Sequence, residues 1–208
     1  MFSEDALVAE LVERFGSQIA ILYGSYARGQ AGPSSDVDVV CFCARSARHP
    51  AAFRWQTLLV DAWIHPLSDV DGINDFRKLH DARVIQDTEK LGQSLLERVK
   101  GELKIARPRL DENSERHVRV WAWKMLDRAK QRGVRGDYRR HWLLLELPQV
   151  WTDLTQRHFL GPDLALDAMM QCCPELYSAF ELAARSEAAL SDLERVVALI
   201  VGPRVESG

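Results

Sequence analysis

The sequence has no apolar run approaching the roughly 18 residues that a membrane-crossing helix needs, which excludes a helical membrane protein. Cysteine is scarce, with four in the chain, and none sits at a zinc-ligand spacing. Cys41 and Cys43 share one face of an expected strand, while Cys172 and Cys173 are adjacent. We read them as reduced thiols filling apolar space rather than as a disulfide framework or a metal site. His49, His65, His80, His117 and His158 show no i, i+4 pairing, so they are read as structural or surface residues. Internal repeats and low-complexity segments are absent. Positive charge is not in excess: the formal net charge is -3, which argues against nucleic acid as a general partner and leaves room for a local basic face. The opening MFSEDALVAE is acidic where a secretory signal is basic, so a cytoplasmic protein with no membrane partner is expected.

What is present suits a folded chain. Hydrophobic residues make up 47% and charged residues 27% of 208 positions, the balance of a globular protein with a core. At roughly 150 residues per domain, this length allows one domain or two small ones, and we expect two. The pattern is α+β: a small mixed-sheet domain over 1–105, then an all-α helical bundle over 111–203.

The chain is organised around Ile19 to Val40, IAILYGSYARGQAGPSSDVDVV. A short apolar strand ends at Tyr23, a Gly24-Ser25 turn opens a helical segment reaching about Gly29, and a second strand carries Asp36 and Asp38. Side chains alternate along a strand, so the two acids share a face while Val37 and Val39 point into a core. Paired carboxylates repel unless a cation sits between them, and magnesium is the usual one. Gly24 lets backbone approach a ligand, Ser25 offers a hydroxyl, and Arg28 adds positive charge. Strand, phosphate-holding turn and metal-holding strand together suit a nucleoside triphosphate.

Gly24-Ser25, ten residues and Asp36-Val37-Asp38, with Ala27-Arg28-Gly29 and the Ser35-Asp36 pair, resemble the signature of the DNA polymerase beta-like nucleotidyltransferase superfamily. The resemblance implies a third carboxylate on a later strand, and Asp61 interrupts the apolar run TLLVDAWI at about that place. It implies Asp36, Asp38 and Asp61 as catalytic and metal residues holding two magnesium ions. It also implies Gly24, Ser25, Arg28 and Ser35 around the nucleotide, and ATP or another nucleoside triphosphate as donor. Asp61 is a candidate proton acceptor. Asp137 and Glu146 are alternative general bases from the helical half.

Along the rest of the chain the patterns predict a helix over Ser3 to Phe15, strands at Ile19 to Tyr23 and Val37 to Cys43, and a surface loop at Ala44 to Pro50. A third strand is expected at Trp55 to His65, a short helix within Ser68 to Leu79, a fourth strand at Ala82 to Gln86 and a helix from Thr88 to Leu103. Ala106-Arg107-Pro108-Arg109 punctuates the domain boundary. Long helices are expected at Ser114 to Gln131 and at Asp137 to His158. A kink is expected at Pro148, helix starts at Pro162 and Pro174, and a capping box at Ser191 and Glu194.

The two-part layout resembles kanamycin and lincosamide nucleotidyltransferases, which implies a small-molecule acceptor such as an antibiotic and a homodimer with a shared active site. Between Lys124 and His141 seven basic residues stand against two acids. They form either a solvated helix face or a cradle for triphosphate and pyrophosphate. Tyr138, Trp142 and Trp151 are either core or pocket lining. A second resemblance is to minimal nucleotidyltransferase antitoxins that act on a helical HEPN-type toxin. It would make a helical toxin the partner, or the C-terminal half a HEPN-like bundle, with Arg135 and His141 at that ribonuclease motif's spacing.

Overall fold

The computed structural model describes residues 2–204; Met1, residues 205–208 and the side chains of Asn74 and Asp75 lie outside that description. The chain is α+β and divides into two compact units, Met1–Ile105 and Ala106–Gly208. Among the described residues, no helix is long and apolar enough to cross a membrane.

The first unit is a five-stranded mixed sheet. Helix α1 (Glu4–Phe15) starts at Ser3, whose hydroxyl accepts from the Ala6 amide, and ends where Gly16 turns left-handed. Strand β1 (Ser17–Tyr23) follows, then a four-residue helix α2 (Gly24–Ala27) and strand β2 (Val37–Cys43). Strands β3 (His49–Trp55) and β4 (Leu58–Pro66) form a hairpin closed at Trp55 and Leu58. Two 3-10 helices (Leu67–Asp71 and Asn74–Leu79), strand β5 (Arg83–Asp87) and helix α3 (Leu91–Leu103) complete the unit. The strand order is β3-β4-β2-β1-β5, with β2 and β4 parallel and the other neighbours antiparallel.

Both sheet faces are covered. On one face Leu7 and Leu11 of α1 meet Leu22, Val37, Val39, Val60 and Ile64. On the other, Leu95 and Val99 of α3, with Phe76 and Leu79, cover Ile19, Ile21, Val40 and Phe42. Strand alternation then fixes the acids: with Val37 and Val39 under α1, Asp38 faces the 3-10 side, and so does Asp61 between Val60 and Ala62.

Several expectations need correction. Residues 44–50 are not all loop, because β3 begins at His49. Its Pro50 and mostly exposed side chains hide it from a hydrophobic pattern, and the sheet edge tolerates both. The expected strand from Trp55 is therefore two strands, separated by a turn in which Gln56 has φ 55. Helix α2 stops at Ala27, and α3 begins at Leu91, after a loop bridged by the Asp87 carboxylate at the end of β5, which accepts from the Gln93 amide at 2.9 Å.

The second unit contains helices α4 (Glu112–Ala129), α5 (Val134–Leu154), α6 (Pro162–Cys172), α7 (Pro174–Ala183) and α8 (Leu190–Val201). Ala122, Met125, Leu126, Leu143, Leu147, Val196 and Val197 form the centre of its core. Asp111 caps α4 through the Ser114 amide, and Pro162 and Pro174 stand at the first turns of α6 and α7. Helix α5 starts immediately after Gly133, whose φ of 82 sets the turn. Gly136 lies inside its first turn, where an added Cβ would fall 1.7 Å from the Gln131 carbonyl oxygen. Pro148 is buried within α5. The expected box at Ser191 and Glu194 is displaced: Ala189 caps α8, and its amide donates to Asp192 at 2.8 Å.

Candidate active site

The turn from β1 into α2 brings backbone against the first carboxylate. Gly24 has φ 70, a conformation that L side chains disfavour, and a Cβ there would lie 2.2 Å from Asp38 Oδ2. Only glycine lets this turn and this acid coexist. Ser25 is half-buried, and its carbonyl accepts from the Gln30 amide at 2.9 Å. Ser35 organises the loop before β2, its hydroxyl accepting from the Gly32 amide at 2.9 Å. Arg28 is held by Asp81 at 2.7 Å and by Gln30 at 2.9 Å.

Register supplies the remaining geometry. Tyr23 pairs with Asp38 across the β1–β2 ladder, and Asp38 pairs with Asp61 across the parallel β2–β4 ladder. Tyr23, Asp38 and Asp61 thus form a row across three adjacent strands, at steps of roughly 5 Å. Asp36, expected on the strand, stands one residue before β2 begins, and its charge still acts on Asp38.

The electrostatics show how close these acids stand. Burial, then the charges of Asp36 and Asp61, push the Asp38 carboxyl up to about 6, against the opposing pull of Lys78 and Arg28. Burial, then Asp38, Asp61 and Asp36, raise the Tyr23 hydroxyl well above its ordinary value. The charges of all three acids therefore reach the Tyr23 hydroxyl, and those of Asp36 and Asp61 reach Asp38. Among the described residues, no three Asp, Glu, His or Cys side chains make a finished metal cage as placed. The donor chemistry nevertheless fits a hard divalent ion: oxygen ligands only, mutually repelling, on one half-buried face.

Lys78, which nothing in the sequence singles out, belongs to this site. Its Nζ donates to the Tyr23 hydroxyl at 2.9 Å and lies over the rings of Tyr23 and Trp63, 4.7 and 5.0 Å from their centroids. Desolvation lowers its pKa, while Asp61 and Asp38 oppose that shift. A lysine in a mixed polar segment carries no local signal of such a role.

The helical unit's candidates are spread along α4 and α5. Glu146 accepts from the Trp142 indole at 3.1 Å, and Asp137, Arg135 and His141 are exposed. Of the clustered cations, Arg128, Arg135 and Arg139 line a groove of about 490 Å³ with Tyr138, while Lys130 pairs with Asp127 and Glu194. Trp151 is core, Trp142 packs partly against it, and Tyr138 is exposed.

A nucleotidyltransferase-domain family model matches residues 5–121, more than half of the chain. The chain belongs to the nucleotidyltransferase-domain family. The match takes in every strand of the sheet and ends inside α4. This nucleotidyltransferase has no match among curated proteins. Among solved structures it is similar to a nucleotidyltransferase-like protein from Exiguobacterium sibiricum 255-15. That likeness has 14% identity and a TM-score of 0.45, over 96% of this chain and 76% of the other. Family membership makes the protein a transferase of the nucleotidyltransferase type.

Proposed function

We propose that the protein is a magnesium-dependent nucleotidyltransferase that moves a nucleoside monophosphate, AMP from ATP, onto a hydroxyl of a small molecule such as an antibiotic. One observation carries the reading: Asp38 and Asp61 stand in register on adjacent strands beside a left-handed glycine turn, where a Cβ at position 24 would lie 2.2 Å from Asp38 Oδ2. Asp36, Asp38 and Asp61 would hold the divalent ions. When bound, magnesium acidifies the acceptor hydroxyl and neutralises charge on the triphosphate.

This chain's own residues do the rest. The Gly24 turn brings backbone close to the phosphates, and Arg28, braced by Asp81, directs positive charge toward the same anion. Asp61 takes the acceptor's proton. The acceptor oxygen then bonds to the α-phosphorus as the bond from that phosphorus to the α,β-bridging oxygen breaks, and pyrophosphate leaves carrying that oxygen and the bonding electron pair. The small-molecule acceptor comes from resemblance to the kanamycin and lincosamide enzymes. We place the protein in the cytoplasm, in keeping with its four free cysteines.

The test is pyrophosphate release by purified protein with magnesium and each of the four nucleoside triphosphates, against aminoglycosides, lincosamides and helical-toxin proteins. Release that requires an antibiotic and is absent from Asp38→Asn supports the reading. Release driven only by a toxin protein would replace the acceptor, and equal release by Asp38→Asn would remove the site.

A further inference from the structure

We propose that Lys78 is a built-in counter-cation of the carboxylate row, competing with the divalent ion for Asp38 and Asp61 and meeting the triphosphate once the ion has entered. The proposal rests on the metal-site reading above. Its geometric basis is the row itself, with Tyr23 on β1, Asp38 on β2 and Asp61 on β4 in register. Lys78 comes from the 3-10 helix on the same side of the sheet and touches Tyr23, one end of that row, and the Trp63 ring, two residues along β4 from Asp61 at the other end. Its Nζ donates to the Tyr23 hydroxyl on β1 and sits 5.0 Å from the Trp63 ring on β4. Trp63 is two residues beyond Asp61 on the same face of β4. β1 and β4 stand about 10 Å apart with β2 between them. An ammonium that reaches both therefore overhangs β2, where Asp38 projects.

What holds the ammonium also lets it leave. Among the described residues its contacts are a phenol oxygen and two ring faces. Moving it breaks one hydrogen bond and two cation-π contacts, interactions far weaker than a buried ion pair. A lysine and a divalent ion beside the same carboxylates repel, so binding of the ion displaces the ammonium. The flexible four-carbon stem lets the charge move while the helix stays in place. The displaced charge then has the anionic triphosphate to meet.

Manganese alone is the probe, with binding followed by titration calorimetry and by the electron paramagnetic resonance signal of free ion. Wild type, Lys78→Met, Lys78→Arg and Asp38→Asn are compared, with thermal melting in chelator as the folding control. Lys78→Met should bind manganese about tenfold tighter than wild type, and Lys78→Arg about as wild type. With manganese present, Lys78→Met should bind a non-hydrolysable triphosphate analogue more weakly. A folded Lys78→Met that binds manganese no tighter than wild type overturns the counter-cation role alone, provided Asp38→Asn abolishes binding. Manganese binding by none of the proteins, Lys78→Met included, overturns both this role and the metal site.

Discussion

Replacing Asp38 with Asn should remove activity and yet stabilise the ion-free protein. The Asp38 carboxyl titrates at about 6 in the fold against an ordinary value near 3.8, so the folded state binds its proton more tightly than the unfolded chain does. A group with a raised folded pKa contributes stability at low pH and loses it as pH rises through the folded value. Above about pH 6 the native protein therefore carries an ionised Asp38 that burial and two neighbouring acids oppose. Two pKa units correspond to about 3 kcal/mol, and screening at this half-exposed carboxyl reduces that to about 1 kcal/mol. Asn has nearly the same shape, does not ionise and keeps the clearance against Gly24. In chelator near pH 8, Asp38→Asn should melt about 4 °C above wild type, the shift that about 1 kcal/mol gives in a unit of this size. Near pH 5 the gap should shrink to about half, and it closes only below the ordinary carboxyl value near 3.8. Adding magnesium should stabilise wild type and leave the variant unmoved. Differential scanning calorimetry at both pH values decides the matter; equal melting near pH 8, or a gain that is the same near pH 5, would refute the idea that repulsion among the acids strains this site.

Gly24→Ala combines a left-handed backbone with a Cβ only 2.2 Å from Asp38 Oδ2. It should cost about 1–3 kcal/mol in chemical denaturation and abolish pyrophosphate release. Gln56→Gly should act in the opposite direction: Gln56 holds φ 55 in the β3–β4 turn, so glycine should raise stability by about 0.5 kcal/mol and leave turnover unchanged, as parallel melts and rate assays would show.

The sequence could reveal β2 and its aspartates because their information is local. Alternating valines set the strand, and Asp38 falls on the opposite face by necessity. The row with Tyr23 and Asp61 depends on strand register, which no single segment encodes, although an acid inside an apolar strand is a visible irregularity. β3 was hidden because an edge strand needs only one neighbour, so His49, Pro50 and Arg54 can occupy it without an apolar pattern. Lys78 was hidden for a different reason. Its importance comes from Tyr23, 55 residues away, and from Trp63 on another strand, so only tertiary structure assembles its environment. Helix α5 starts at Val134 rather than at the expected Asp137 because Gly133 and Gly136 look alike in sequence: one turns the chain at positive φ, while the other lies inside the helix against Gln131.

The most direct test of the central claim is calorimetric binding of a non-hydrolysable ATP analogue, with magnesium and with chelator, to wild type and Asp38→Asn. The account predicts binding by wild type that requires magnesium, together with its loss in the variant. Equal binding in chelator, or binding by Asp38→Asn as tight as wild type, would contradict a metal-held triphosphate at the Asp36, Asp38 and Asp61 site.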